Sequence, residues 1–373
     1  MKPRVLFVGR TRYRLPLDGS LARRFEALSA ELDWRQLATS ADGAGLRDER
    51  FTLVPAFPVR RLDGLVFYAA LPYRVARELR RTRPHAVVVQ GPQETALVLL
   101  ARTLSRSRTR VIADVHGDWR TATRLYGSPL RRLLNPLADG LARRALRAAD
   151  GVRTVTAYTT GLVRAEGVEP TAVFPAYMDL APFTEAPPAP LPEVPTALFV
   201  GVLERYKAID VLAEAWRSVA SRVPEARLEI VGRGPLHEVV DRLAHELPEH
   251  VRWTPELPAA GVAVMLDRAT LLALPSRDEG MGRVLVEAFC RGRCVVASRV
   301  GGIVDVVEDG VNGRLVTPGD TGELADALAS VLSDRAEAAR LGSAAHRSAD
   351  TWLISPRQFA EQFRDLVERV VAQ

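Results

Sequence analysis

Two glutamates, Glu279 and Glu287, flank a glycine-bearing turn, Gly280-Met281-Gly282, that directly follows the apolar run Leu271–Leu274. A strand, a glycine turn and a helix in that order form a ready anion site, because free amide N–H groups and the helix dipole point at whatever precedes the helix. Glu279 stands before the predicted helix, and Glu287 lies about two turns in, about 12 Å further along the same side if helical. A carboxylate can accept two hydroxyl hydrogen bonds at once. Glu279 could therefore meet sugar hydroxyls at the mouth of such a site, and Glu287 a ribose diol deeper down. Spacing alone leaves a plainer reading open, with Glu279 as a helix N-terminal charge and Glu287 as a solvated residue.

The elements that must position these residues follow an α/β alternation. Val5–Val8, Ala86–Gln90, Val111–Val115 and Gly151–Thr154 read as strands. Leu21–Leu32, Thr95–Leu104 and the Leu130–Ala149 region read as helices between them. Continuous apolar runs of this kind suit parallel strands covered on both faces. Ala186–Pro195 then carries five prolines in ten residues, which excludes helix and central strand, and reads as an interdomain linker over 186–196. Beyond it the alternation restarts: strands at Ala197–Val200, Arg227–Val231, Leu271–Leu274 and Val295–Ala297, helices at Val211–Ser221, His237–Leu247, 282–291 and Thr321–Ser333. The expected organisation is two doubly wound, Rossmann-like domains, residues 1–185 and 197–351, facing across a cleft where ligands of such sheets bind. A final helical segment, 352–373, shows Phe359, Phe363, Leu366 and Val370 on one face and is expected to pack back on the first domain.

A length of 373 residues, 47% hydrophobic and 26% charged, fits a two-domain globular protein. No apolar run approaches the ~20 residues that span a bilayer, and Val5–Val8 reads as a buried strand, not a signal peptide, so a cytosolic location is expected. Residues 1–185 carry 30 Lys and Arg against 18 Asp and Glu, whereas 186–373 carry 21 against 27. The basic first half suits an anionic partner, either a membrane surface or an acidic acceptor. A nucleic-acid partner is not expected, because no zinc-finger spacing or RNA-binding signature is present. The only cysteines, Cys290 and Cys294, read as core residues four apart on one helix, without the ligands a metal site needs. Only two of the 51 basic residues are lysines, Lys2 and Lys207, so Lys207 stands out as a place where a compact ammonium is wanted.

The stretch from Pro275 to Val316 contains Glu279-Gly280-Met281-Gly282, Glu287-Ala288-Phe289, the pair Gly301-Gly302 and the turn Asn312-Gly313. Together with Gly201-Val202-Leu203-Glu204-Arg205-Tyr206-Lys207 and Gly232-Arg233-Gly234-Pro235, it closely resembles the retaining family-4 glycosyltransferases of the GT-B fold over residues 197–330. The resemblance implies that Glu279 binds donor-sugar hydroxyls and Glu287 the ribose. It also implies that the amides of Met281, Gly282 and Arg283 approach the diphosphate, and that Lys207 neutralises it as it leaves. In the first domain the match is weaker. Gly19, opening a helix, stands where the family brings backbone close to the diphosphate, and His116, ending a strand, resembles the active-site histidine facing the donor sugar. Asp118 reads as a helix cap. Val202 replaces the family's usual arginine, leaving Arg205 as the nearest guanidinium; Ala208 replaces a glycine, Asp305 a glutamate and Cys294 a proline.

The implied activity is transfer of a sugar from a UDP- or GDP-sugar to an acceptor hydroxyl with retention of configuration. The chain has no Asp-x-Asp pair, so neither a metal nor any other cofactor is expected, and side-chain cations are expected to carry the diphosphate charge. Rival readings are a same-fold phosphorylase or synthase and a catalytically silent nucleotide-sugar or glycan-binding protein. The acceptor would be set by first-domain loops such as Arg10–Leu17 and Trp119–Pro129, which carry no transferable code.

Overall fold

The computed structural model describes residues 2–57, 59, 63–121 and 129–373, with side chains of the last span from 135 onward. Residues 122–128 of the Trp119–Pro129 loop lie outside that set. The chain divides into two compact units, Met1–Tyr177 with Ile354–Gln373, and Met178–Leu353.

In the first unit eight strands form one sheet: β1 Arg4–Tyr13, β2 Asp33–Ser40, β3 Leu46–Arg47, β4 Phe51–Val54, β5 Ala86–Gln90, β6 Arg110–Val115, β7 Gly151–Thr154 and β8 Ala172–Val173. Their order is β3-β4-β2-β1-β5-β6-β7-β8, parallel except for the β3–β4 pair. Side chains of a strand alternate between faces, and both faces here are apolar. Val5 and Phe7 pack with Phe25 and Leu28 of helix Gly19–Glu31 and with the C-terminal helix Pro356–Val371. Leu6 and Val8 pack on the other face with Leu71 and Val75 of helix Asp63–Thr82 and Val98 of helix Pro92–Ser105.

The C-terminal helix is built to dock. Pro356 takes its first turn, where no N–H is needed, and Ser355 and Gln358 form a reciprocal capping box. Phe363 then meets Phe7 and Phe174 edge-on at 5.6 and 5.2 Å between ring centroids. Burying such a ring contributes about 1.5–3 kcal/mol, which explains why this segment belongs to the first unit although it follows the second in sequence.

The second unit has a six-stranded parallel sheet of order β11-β10-β9-β12-β13-β14. Its strands are β9 Thr196–Val200, β10 Arg227–Val231, β11 Val251–Thr254, β12 Leu271–Leu274, β13 Cys294–Ser298 and β14 Gly313–Val316. Leu271 and Ala273 face a core with helices Ile209–Arg222 and Thr321–Ser333, while Leu272 and Leu274 face helices Arg283–Cys290 and Ala259–Asp267.

Two expectations need correction, and several elements had not been read. The proline-rich stretch is not where the units part. The division falls at Tyr177/Met178 and Leu353/Ile354, so the second unit starts before residue 197 and 186–196 lies within it. Proline lacks an N–H but keeps its carbonyl, and buried guanidinium groups take those carbonyls. Arg291 donates to Ala186 and Pro187 at 2.6 and 2.9 Å, and Arg293 donates to Ala189 at 2.8 Å. Cys290 and Cys294 do not share a helix: Cys290 ends one and Cys294 opens β13, both buried and free. Finally, β2, β4, β11, β14 and helices Asp63–Thr82 and Arg335–Ala349 were not legible as separate elements.

Candidate active site

The second unit gathers most of the residues singled out by sequence. Its foundation is close backbone contact that only glycine permits. A Cβ on Gly232 would lie 1.8 Å from the Gly201 carbonyl oxygen, and one on Gly234 would lie 2.6 Å from that of Leu203. The loop after β9 therefore rests directly on the loop after β10, with Leu203 N–H donating to Arg233 O at 2.9 Å. The pair Gly301-Gly302 does the same for the turn of interest. A Cβ on either would lie 2.0 Å from a carbonyl oxygen, that of Glu279 or Gly280, and Gly302 N–H donates to Glu279 O at 2.9 Å. The glycines of the sequence motif thus fix where Glu279 sits.

Lys207 closes a short 3-10 turn, Arg205–Lys207, that leads into helix Ile209–Arg222 through Ala208, whose φ is +52°. The left-handed conformation of Ala208 is why glycine would be the ordinary residue there. Arg277, just beyond β12, pins this turn. Its guanidinium grips Asp210 through two hydrogen bonds of 2.9 and 2.8 Å and donates to Arg205 O at 2.7 Å, while its N–H donates to Tyr206 O at 2.6 Å. Burial opposes ionisation of Asp210, but Arg277 outweighs it and holds the carboxyl below its usual range. Arg277 is a positioning residue that the sequence pattern does not single out, because its partners Arg205, Tyr206 and Asp210 lie 67 or more positions away.

The consequence is a direct ion pair between Lys207 Nζ and the Glu279 carboxylate, side chains only 11% and 10% exposed. Ser276 Oγ adds a hydrogen bond to Glu279 Oε1 at 3.2 Å. Glu287, on the helix that Gly282 opens with φ +72°, is 15% exposed at its side chain and 4.0 Å from Arg283 Nη2. Burial pushes the Glu287 carboxyl up, against the pull of Arg283 and Lys207. One ammonium therefore sits within electrostatic reach of both glutamates. Among the described residues the N–H groups of Met281, Gly282 and Arg283 meet no acceptor, and they stand at the positive end of helix Arg283–Cys290. Arg205 is exposed, and its guanidinium has no partner among the described residues. Val202 is 44% exposed.

Gly19 and His116 belong to the first unit. Gly19 is the first residue of its helix, whose N-cap Asp18 accepts Leu21 N–H at 2.8 Å. The nearest atom to a Cβ on Gly19 would be Arg23 Nη1 at 3.6 Å, so packing alone does not demand glycine there. His116 follows β6 and pairs through Nε2 with Asp114 Oδ2 at 2.9 Å. Asp114 is held in turn by Arg153 Nη1 at 2.7 Å. Arg153, only 1% exposed at its side chain, also donates to the carbonyls of Phe174 and Pro175 and lies 3.9 Å from the Phe174 ring centroid. Burial disfavours the Asp114 carboxylate, but the charges of Arg153 and His116 win and hold its pKa far below the usual range. Sequence reasoning missed both partners, although a lone charged residue inside each of two apolar strand runs, Val111–Val115 and Gly151–Thr154, was a usable signal. Asp118 caps a turn, accepting Arg120 N–H at 2.9 Å and its guanidinium at 2.8 Å; its expected role as a helix cap falls on residues outside the described set.

His116 lines a cavity of about 850 Å³ with Arg10, Tyr68, Glu94 and Trp119. Burial raises the Glu94 pKa, and the Tyr68 hydroxyl donates to its Oε1 at 2.8 Å. Among the described residues no cluster of three or more His, Cys, Asp or Glu side chains could hold a metal ion, and no helix is long and apolar enough to cross a membrane.

Two α/β units with largely parallel sheets, the second carrying this glycine-supported turn, define a GT-B architecture. Solved structures agree on the fold. A sucrose-phosphate synthase from Thermosynechococcus elongatus superposes with a TM-score of 0.79 at 20% identity, covering all of both chains. Anabaena HepE in complex with UDP-glucose gives 0.69 at 18%, covering 99% of this chain and all of that one. In sequence, residues 185–348 match the family described as Glycosyl transferases group 1, and residues 20–181 match Glycosyltransferase Family 4. A GDP-mannose-dependent alpha-(1-6)-phosphatidylinositol monomannoside mannosyltransferase of Mycolicibacterium smegmatis is 31% identical over 257 residues, 63% of this chain and 67% of that protein. A D-inositol 3-phosphate glycosyltransferase of Nocardia farcinica is 35% identical over 184 residues, but the match spans only 46% of this chain and 41% of that protein. The chain belongs to the group 1 glycosyltransferases.

Proposed function

We propose that the chain transfers a glycosyl group from a UDP- or GDP-sugar to an acceptor hydroxyl, with retention of configuration and without a metal. The observation that carries the reading is the buried Lys207–Glu279 pair beside a turn whose amides meet no acceptor. In the reaction the bond from the anomeric carbon to the diphosphate breaks, and a bond to the acceptor oxygen forms. Negative charge grows on the departing diphosphate, and fixed positive groups aimed at that position lower the barrier. Lys207, Arg205 and the N–H groups of Met281, Gly282 and Arg283 supply them, with Gly19 allowing close backbone approach. The freed diphosphate takes the acceptor's proton. Glu279 accepts donor-sugar hydroxyls, Glu287 the ribose diol, and His116, fixed by Asp114, contacts the donor sugar. The cavity beside His116 takes the acceptor, a glycan, a lipid or a natural product.

Glu279 is also the partner of Lys207, which gives that pair a further role. A donor whose diphosphate engages the ammonium releases the carboxylate for the sugar, so the two contacts form together. Metal independence predicts that turnover is unchanged by EDTA and not raised by Mg²⁺ or Mn²⁺, while NMR of the product shows the donor's anomeric configuration. Loss of activity in EDTA would overturn the metal-free reading, and an inverted anomer would overturn retention.

A further inference from the structure

At the N-terminal ends of β5 and β6, the opposite end of β6 from His116, lies a second concave surface. It is formed where helix Asp63–Thr82 runs into β5 and helix Pro92–Ser105 runs into β6. The cleft, about 550 Å³, is lined by Arg80, Arg83, Arg106, Arg108 and Arg110 with His85, and by no carboxylate. Asp150 neutralises Arg110 at 3.1 Å and Arg102 as well. Among the described residues Arg80 donates only to the Leu104 carbonyl, at 3.2 Å. The guanidinium groups of Arg83, Arg106 and Arg108 have no ion partner among the described residues, and all three side chains are exposed.

Two features separate this cleft from an ordinary solvated surface. Arg83 and Arg106 occupy left-handed backbone positions, φ +43° and +52°, at the ends of their helices, where glycine or asparagine is the relaxed choice. Charge is therefore placed at the cleft against local conformational preference. Beside it, Leu100 and Leu104, one turn apart on the same helix face, are 48% and 59% exposed, and Val371 on the rim is 39% exposed. Exposed aliphatic side chains flanked by unpaired arginines match a bilayer surface, where apolar groups enter the acyl boundary and basic groups meet anionic headgroups. A single-stranded nucleic-acid surface would instead call for stacking aromatics, and the lining holds no Phe, Tyr or Trp.

We propose that this cleft and the Leu100–Leu104 stripe dock the chain peripherally on an anionic membrane. The docking surface lies about 15–20 Å from His116, one strand length away, so it can be altered without touching the site. The test is co-sedimentation of the full chain with phosphatidylglycerol-containing vesicles and with pure phosphatidylcholine vesicles, at low and high salt. Binding to the anionic vesicles alone, reversed by salt, is expected. Arg106→Asn with Arg108→Ser, and separately Leu100→Ser with Leu104→Ser, should each weaken it by about tenfold or more while thermal unfolding and donor turnover stay at wild-type values. Arg106→Asn keeps a residue that tolerates the left-handed backbone. Equal binding to both vesicle types, no binding to either, or wild-type binding by the arginine double variant would overturn the proposal. Arginine-dependent binding of a single-stranded RNA homopolymer without vesicle binding would overturn it in favour of a nucleic-acid surface.

Discussion

Alanine at Lys207 should lower turnover about 10²–10³-fold, the usual effect of removing one preorganised group that stabilises developing charge. It should also destabilise the second unit, because Lys207 and Glu279 are each other's partner at 11% and 10% exposure and burial already raises Glu287. Removing one member of a buried pair leaves an uncompensated charge, at a cost of about 3–5 kcal/mol. Glu279→Ala leaves Lys207 with only the more distant Glu287 charge and should cost a similar amount. The double variant should recover much of that stability, because neither partner is left unpaired, yet its turnover should stay no higher than that of the slower single variant. Denaturant unfolding and initial rates on the four proteins separate the two roles. Strictly additive stability losses would mean the pair is not coupled, and wild-type turnover in Lys207→Ala would remove Lys207 from the site.

Arg153→Met should destabilise the first unit by about 3–5 kcal/mol at neutral pH. Methionine roughly preserves the apolar packing against Phe174 but strands the Asp114 carboxylate. The pH dependence gives the sign. In the wild type the folded pKa of Asp114 is depressed by Arg153 and His116 against burial, so its stabilising contribution is fully present above the unfolded value of about 3.9 and is lost as pH falls toward the folded value. Without Arg153, burial dominates and the carboxyl binds a proton more readily in the folded state than in the unfolded chain. The difference between variant and wild type should therefore be largest above about pH 5 and shrink on acidification. Adding Asp114→Asn should restore part of the loss. A deficit that is the same at pH 4 and pH 7 would show that packing, not the ion pair, sets the effect.

What the sequence revealed and what it hid divide by range. Leu271–Leu274, the glycine turn and Glu287 are contiguous, so strand, turn and helix could be read from run length and residue type. Lys207 was conspicuous through composition. Its pairing with Glu279 spans 72 positions, and no local pattern encodes that. Asp114 and Arg153 lie 39 positions apart, each a single charge in an apolar run, which in isolation looks like an edge residue. Pro72 lies inside helix Asp63–Thr82 and interrupts its pattern as a helix end would. The proline-rich stretch misled for a different reason: proline excludes regular structure, but it does not stop Arg291 and Arg293 from holding the carbonyls of a compact unit.

Consumption of a nucleotide sugar through the Lys207 turn is directly measurable. Wild type and Lys207→Ala, incubated with a panel of UDP- and GDP-sugars and hydroxyl acceptors, can be followed by mass spectrometry for nucleoside diphosphate and glycosylated product. The prediction is diphosphate release matched by product for at least one donor, reduced by orders of magnitude in the variant. Donor binding without turnover, or glycosyl transfer that consumes inorganic phosphate and releases no nucleoside diphosphate, would contradict it.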